Sequence, residues 1–212
     1  MSQSDSTTAS PDTGAPHPPA SIVEAIRTTL TDSALPDEEF ETSADSLAEA
    51  AAFVAGAAMR RSGGKPVIAL EQMGGAAGAR RMRLAIVNDD MPFLVDSVAG
   101  VVAAEGLAVD CIIHPVVAVR RDGTGVLTDI LDRDASGERR ESMIYMQIER
   151  ADAKGRRELI AGIGDVLADV RAAVSDWLKL QAAMQDDAVR VGDGEAAALL
   201  RWFLDRNFTQ LG

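Results

Sequence analysis

The chain has 212 residues, of which 47% are apolar, and it carries a formal net charge of -12 at pH 7. This apolar content suffices for one domain core with helical flanks. The acidic surface argues against nucleic acid and anionic membranes as partners, since both would repel it. The single cysteine excludes an internal disulfide, and no apolar run approaches the roughly 20 residues of a membrane helix. With no basic leader at the N-terminus, we expect a cytoplasmic protein.

The first third of the sequence predicts a tail, a helical segment and a linker. Residues 1–20 are Ser, Thr, Pro and Ala with almost nothing to bury, so they predict a disordered tail. Residues 21–64 predict helices, because apolar residues recur at helical spacing and alanines follow. Residues 65–80 predict a short strand and a glycine-rich linker. A dinucleotide fingerprint would need a helix directly after the glycines of 74–78, and a strand follows instead.

An acidic turn then joins an apolar strand to a helix. Asp89 and Asp90 stand just before Pro92, an order typical of a helix start, so we expect one of these carboxylates to cap the first turn. Together with Asp96 they offer oxygens to a hard cation, which is the less favoured alternative. We predict no metal site.

The rest of the chain completes an α+β pattern. From residue 81 the order is strand, helix, strand, strand, helix, with a turn signal at Asp122-Gly123. Residues 81–185 therefore predict a ferredoxin-like two-layer unit, with the N-terminal helices before it and a C-terminal helical extension after it. That unit needs one more strand, which is either missing or borrowed. Residues 186–212 predict a linker, a helix and the start of a truncated strand.

Several separated motifs resemble known families. The strand, acidic turn, proline and helix across Ile86 to Gly106 are similar to those of ACT domains, which are small regulatory modules. A sharper resemblance is to the N-terminal region of the large bacterial NAD-specific glutamate dehydrogenases. It is carried, in order, by Asn88 to Val98, His114-Pro115-Val116, Glu141-Ser142, Glu195 to Trp202, Asn207-Phe208-Thr209 and Leu211-Gly212.

This resemblance implies a regulatory and assembly segment ahead of a distant catalytic domain. The parent enzyme would oxidise L-glutamate to 2-oxoglutarate with NAD. The segment itself would bind no cofactor and supply no catalytic residue. Its partners would be the rest of the parent chain and further copies in a homo-oligomer. The alternative is a stand-alone ACT-type amino-acid sensor.

The resemblance also indicates which residues would bind an effector or form an interface. They are Asn88, Asp89, Asp90, Pro92, Phe93 and His114. Sensing ACT domains have glycine directly after the turn proline, which lets a ligand approach. The bulky ring of Phe93 indicates packing at that position instead. We expect His114 to be a structural or interface histidine whose polar tip is satisfied by backbone; the alternative is a hydrolase that pairs it with Ser97.

Overall fold

The computed structural model describes residues 17–34, 44–74, 81–131, 135 and 138–208. Most of the predicted tail, most of the glycine-rich linker and residues 209–212 of the predicted truncated strand lie outside these ranges. The helices are α1 (Ala20–Ser33), α2 (Ala44–Ala58), α3 (Leu94–Ala104), α4 (Ala153–Ser175), α5 (Trp177–Val191) and α6 (Glu195–Trp202), followed by a π-helical turn (Phe203–Asn207). The strands are β1 (Val67–Gln72), β2 (Arg81–Asp89), β3 (Val109–Ile113), β4 (Val116–Arg121), β5 (Leu127–Leu131) and β6 (Arg139–Glu149).

The chain divides into two compact units. The first lies within residues 1–89 and 110–148 and holds α1, α2 and the sheet. The second lies within residues 90–109 and 149–212 and holds α3 to α6. No helix among the described residues is both long and apolar enough to cross a membrane.

The sheet of the first unit has the order β1-β2-β6-β4-β5, with β3 also paired to β6. Strand β1 runs antiparallel to β2, from the pair Val67 and Val87 to the pair Gln72 and Met82. In a βαββαβ unit the final strand lies antiparallel beside the first. Here β1 occupies that edge although it precedes β2 in the chain. The α+β prediction is confirmed, and the borrowed strand comes from the N-terminal side.

One face of the sheet packs against α1 and α2. Helix α1 presents Ile26 and Leu30, which are fully buried. Because the residues that helix α2 buries are mainly small, its backbone approaches the sheet closely. The small residues are Ala50, Ala51, Ala55 and Ala58. Burying each large side chain contributes about 1.5–3 kcal/mol, so this layer is a main source of the stability of the first unit.

Turns set the path between the central strands. The Val- and Ile-rich residues 108–120 predict one long strand with a bulge near Pro115. The structure divides it into β3 and β4 at His114-Pro115, where proline has no N–H to donate and its carbonyl accepts from the N–H of Met143. The predicted hairpin turn is confirmed, because the Asp122 carboxylate accepts from the side chain and backbone of Thr124 and from the N–H of Val126. These hydrogen bonds lower the pKa of Asp122.

In the second unit, α3 and α4 pack closely where Gly162 faces Val101. The Asp152 side chain caps α4 by accepting from the N–H of Gly155 at 2.7 Å, which lowers the pKa of Asp152. Apolar residues spaced from Leu159 to Trp177 predict one long helix, interrupted at Asp186-Asp187 and at Gly192-Asp193-Gly194. The second interruption is confirmed, since α5 ends at Val191 and α6 begins at Glu195, but the first is wrong. The break is at Asp176, while the later pair lies on α5, where acidic side chains are exposed to water.

Candidate functional site

Five polar side chains form a charged cluster inside the first unit: Arg61, Asn88, Asp89, Arg121 and Glu141. We call this set the arginine cluster. The side chains of Arg61 and Glu141 are 0% exposed and that of Arg121 is 6% exposed. Removing an ion from water costs several kcal/mol unless it is paired and hydrogen-bonded. The cluster must therefore satisfy its charges internally.

Arg61 follows α2 and reaches three other elements. Its Nη1 donates to Oε1 of Glu141 and to Oδ1 of Asp89, each at 2.8 Å. Its Nε donates to the carbonyl of Lys65 at 2.9 Å, and Nη2 lies 3.5 Å from Oδ1 of Asn88. Burial by itself would lower the pKa of Arg61, but the hydrogen bonds to Asp89 and Glu141 outweigh it and raise that pKa. The group stays a cation in the core.

Arg121 binds the same glutamate with a two-pronged geometry. Its Nε donates to Oε1 of Glu141 at 2.9 Å, and its Nη2 donates to Oε2 at 2.7 Å. Its Nη1 donates to the carbonyls of Ala58 and Gly125, each at 2.9 Å. Two guanidinium cations thus face two carboxylates, so the cluster is neutral. Such bidentate pairs fix orientation as well as charge.

The glycine turn after β4 completes the cluster. The N–H of Arg61 donates to the carbonyl of Gly125 at 3.0 Å, beside the bond from Arg121. Gly125 has φ of +84°, and a Cβ there would lie 2.3 Å from the carbonyl oxygen of Arg61. Only glycine combines this backbone conformation with so close an approach. The turn therefore holds the segment after α2 against the sheet.

The arginine cluster is arranged to hold structural elements together. Both oxygens of Glu141 already accept from guanidinium groups, so this carboxylate is not free to take a proton from a substrate. The same contacts join the segment after α2 to the ends of β2 and β4 and to β6. The arginine cluster therefore fixes the relative positions of these elements.

Five of the six predicted site residues fall into two groups, and His114 lies apart from both. Asn88 and Asp89, in β2, belong to the arginine cluster. Asp90, Pro92 and Phe93 are exposed residues of the second unit. That any of them binds an effector or a partner stays a prediction.

Two expectations about this turn are wrong. No side chain caps α3, because Asp89 bonds to Arg61 and three residues separate Asp90 from the first helical residue, Leu94. The ring of Phe93 does not pack, since it is 45% exposed. Phe93 also has φ of +69°, a left-handed conformation that glycine adopts freely and other residues rarely do. A phenylalanine there is strained by about 1–2 kcal/mol.

His114 has a side-chain partner. Its Nε2 lies 2.6 Å from the hydroxyl oxygen of Ser142, which is buried. This ring nitrogen therefore has a side-chain partner within β6, and the pairing with Ser97 that a hydrolase would need stays a prediction. Among the described residues, no group of three or more His, Cys, Asp or Glu side chains is arranged to hold a metal ion.

The sequence did not reveal Arg61 and Arg121 as partners of Glu141. Glu141 stood out only as part of the family motif Glu141-Ser142. Both arginines stand at the ends of apolar stretches, where charged residues are usually exposed. Their shared carboxylate lies 80 and 20 positions away. The one available signal was the run of charged residues Arg120, Arg121 and Asp122 just before Gly125. In a single sequence, such a run looks the same as an ordinary turn exposed to water.

Comparison with known proteins agrees with the sequence resemblance. Residues 28–163 match the family model described as "Glutamate dehydrogenase, ACT1 domain". The chain is 31% identical over 140 residues to the NAD-specific glutamate dehydrogenase of Pseudomonas aeruginosa, which covers 60% of this chain and 9% of that protein. It is 34% identical over 143 residues to the enzyme of the same name from Halomonas elongata, covering 61% and 9%.

The chain thus matches less than a tenth of the length of these relatives. The family match begins within α1, includes every strand of the sheet and ends within α4. It spans well over half of the 212 residues. The chain belongs to the glutamate dehydrogenase ACT1 domain family.

Proposed function

We propose that this chain is a non-catalytic regulatory and assembly segment of an NAD-specific glutamate dehydrogenase in the cytoplasm. The parent enzyme would convert L-glutamate, NAD and water to 2-oxoglutarate, ammonium and NADH. The observation that carries the proposal is the family match across the sheet and its flanking helices. In this role the segment binds no NAD, and its partners are the rest of the parent chain and other copies of the enzyme.

The arginine cluster supports a mechanical role. A regulatory segment transmits a signal only if its elements move together, because coupling between distant sites needs rigid, packed elements. The cluster joins α2 and three strands through charge-assisted hydrogen bonds, which are stronger than neutral ones. The first unit can therefore transmit a displacement as one body.

The direct test is NAD reduction by this chain alone with L-glutamate. We expect no reduction above the blank, with a complete NAD-specific glutamate dehydrogenase as the positive control. Turnover by the isolated chain would overturn the non-catalytic assignment. The assay needs the folded chain, which far-ultraviolet circular dichroism checks first.

A second test addresses regulation. In the complete parent polypeptide, Arg61→Ala should change the oligomeric state or the shape of the glutamate saturation curve, because it loosens the first unit. Arg27→Ala is the matched control, since Arg27 is exposed and pairs only locally with Glu24. Unchanged assembly and kinetics in both variants would contradict the regulatory role.

A second candidate function is a stand-alone amino-acid sensor. The observation in its favour is the start of α3, where no side chain caps the first turn and Phe93 is exposed. Backbone N–H groups in such a turn attract carboxylates. Calorimetry with a panel of amino acids separates the two candidates. Micromolar binding that is lost in Asp90→Ala would favour the sensor.

A further inference from the structure

The C-terminal hairpin of the second unit has an unusual distribution of apolar side chains. Helices α5 and α6 pack together, and the π-helical turn follows. Among the described side chains of these two helices, only Ala188 and Ala197 are buried. Met184 and Leu200 are half-buried, whereas several other large apolar side chains are exposed, among them Leu180, Leu199 and Trp202. The hairpin therefore leaves part of its apolar surface in water, where it contributes little hydrophobic stabilisation.

Three exposed residues and the half-buried Phe203 form one surface across α6 and the π-helical turn, which we call the aromatic face: Leu199, Trp202, Phe203 and Phe208. Leu199 and Trp202 are one helical turn apart, so they share a face of α6. They are 52% and 49% exposed, and Phe208 is 61% exposed. The ring centroids of Trp202 and Phe203 are 5.5 Å apart, and those of Phe203 and Phe208 are 5.3 Å apart. The surface is therefore continuous.

Such a surface is typical of an interface. Contiguous exposed apolar patches mark docking sites in soluble proteins, and aromatic residues are enriched at interfaces. Tryptophan in particular dominates binding energy when a partner excludes water around it. Scattered single apolar residues would need no explanation, but three rings in mutual contact beside a leucine do.

The lengths of the relatives indicate the occupant. About nine tenths of each glutamate dehydrogenase that the chain matches lies outside the matched segment. The aromatic face also lies beyond residue 163, where the family match ends, so it is not part of the ACT1 core. In the proposed function this segment precedes that polypeptide, so an apolar surface after the core is in a position to contact it.

We propose that the aromatic face docks onto an apolar surface of the polypeptide that continues the same chain in the parent enzyme. The docking would couple the second unit to the downstream domains. This inference rests on the proposed function and adds to it the residues through which the segment is connected.

Hydroxyl-radical footprinting tests the proposal, because it reports the exposure of individual aromatic side chains. It compares this 212-residue chain with the complete polypeptide encoded by the same reading frame. Oxidation of Trp202 and Phe208 should fall at least about five-fold in the complete polypeptide, since interface burial removes them from water. Val189 is the control, because it is 67% exposed on α5 and outside the aromatic face.

Each other outcome overturns the proposal. Equal oxidation of Trp202 in both chains would show that no downstream surface covers the face. A reading frame that stops after Gly212 would remove the occupant. Self-association of the 212-residue chain in sedimentation that is lost in Trp202→Ser would assign the face to a second copy. A reading frame that stops after Gly212 would overturn the proposed function as well. The other two outcomes would overturn only the docking proposal, because the non-catalytic assignment is tested separately by NAD reduction.

Discussion

The arginine cluster buries large charged side chains, whereas the aromatic face exposes large apolar ones. In the first unit, the long charged side chains of Arg61 and Glu141 are fully buried. In the second, Trp202 is half exposed while Ala197 is buried. Charges belong in a core only when partners neutralise them, and aromatic rings stay in water only at an energetic cost. The first region is therefore completed by its own chain, whereas the second is suited to an external partner.

The largest effect on stability is expected when the buried cation Arg61 is replaced. Arg61→Ala should lower the free energy of unfolding by about 3–5 kcal/mol, because it leaves the carboxylate of Glu141 buried with one of its two cationic partners gone. Urea unfolding followed by circular dichroism measures this. Arg27→Ala removes an exposed ion pair and should leave the unfolding midpoint unchanged.

If Arg61→Ala fails to fold, Arg61→Lys gives a milder change. Lysine keeps the charge but cannot donate to Glu141, Asp89 and the Lys65 carbonyl with one rigid fork. Its unfolding midpoint should lie clearly below that of the wild type. A midpoint equal to that of the wild type would show that the arginine cluster does not stabilise the first unit.

The turn that supports the cluster should give the next largest effect. Gly125→Ala should cost more than about 2 kcal/mol, because a left-handed alanine is strained and its Cβ meets the Arg61 carbonyl at 2.3 Å. Gly64→Ala is the matched control. Gly64 has φ of +78° but nothing within 4 Å of its Cβ position, so it should lose only the conformational part, about 1 kcal/mol. Equal losses in denaturant unfolding would contradict the close approach.

These two regions also show what could be predicted from the sequence. The order of strands and helices followed from apolar periodicity, and the hairpin followed from Asp122, whose side chain bonds locally. Local patterns determine such features. Arg61 and Glu141 meet across 80 positions, so no local pattern reveals their contact. The pairing of β1 with β2 was missed for the same reason, since composition does not specify which strand occupies an edge.

The acidic turn shows where a local rule fails. Asp89 and Asp90 before Pro92 predicted a capped helix start, but a buried guanidinium attracts Asp89 more strongly than helix amides do. Phe93 stands where the resemblance to ACT domains implies a glycine, and its backbone has the positive φ that glycine adopts freely. The sequence alone did not show that the ring would be exposed.

The interface between α5 and α6 should tolerate larger side chains less well than the outer surface of these helices does. Ala197→Leu should lower the free energy of unfolding by about 1–3 kcal/mol, because extra volume does not fit between packed helices. Ala196→Leu is the control on the same helix, since Ala196 is exposed. A stabilising effect of Ala197→Leu would show that the hairpin has room for a large side chain and that its small interface is not tightly packed.

The buried tyrosine gives a weaker and pH-dependent effect. Burial raises the pKa of Tyr145 above its ordinary value of 10.0. The unfolded chain therefore releases this proton first, so the contribution of Tyr145 to stability is complete below pH 10 and is lost as pH rises through the folded-state pKa. Tyr145→Phe should flatten the alkaline decrease in the unfolding midpoint. Because the chain has a single tyrosine, tyrosinate absorbance reports this residue alone.

The smallest effect is expected at the aromatic face. Trp202→Ser should change the free energy of unfolding of the 212-residue chain by less than about 0.5 kcal/mol, because Trp202 is 49% exposed and substitutions at exposed positions are usually near neutral. The same substitution in the complete polypeptide should weaken its resistance to proteolysis, since there the ring would be covered. Val189→Ser should change neither chain. A large loss of stability in the isolated chain would show that Trp202 completes the second unit itself, and the contrast with the arginine cluster would then disappear.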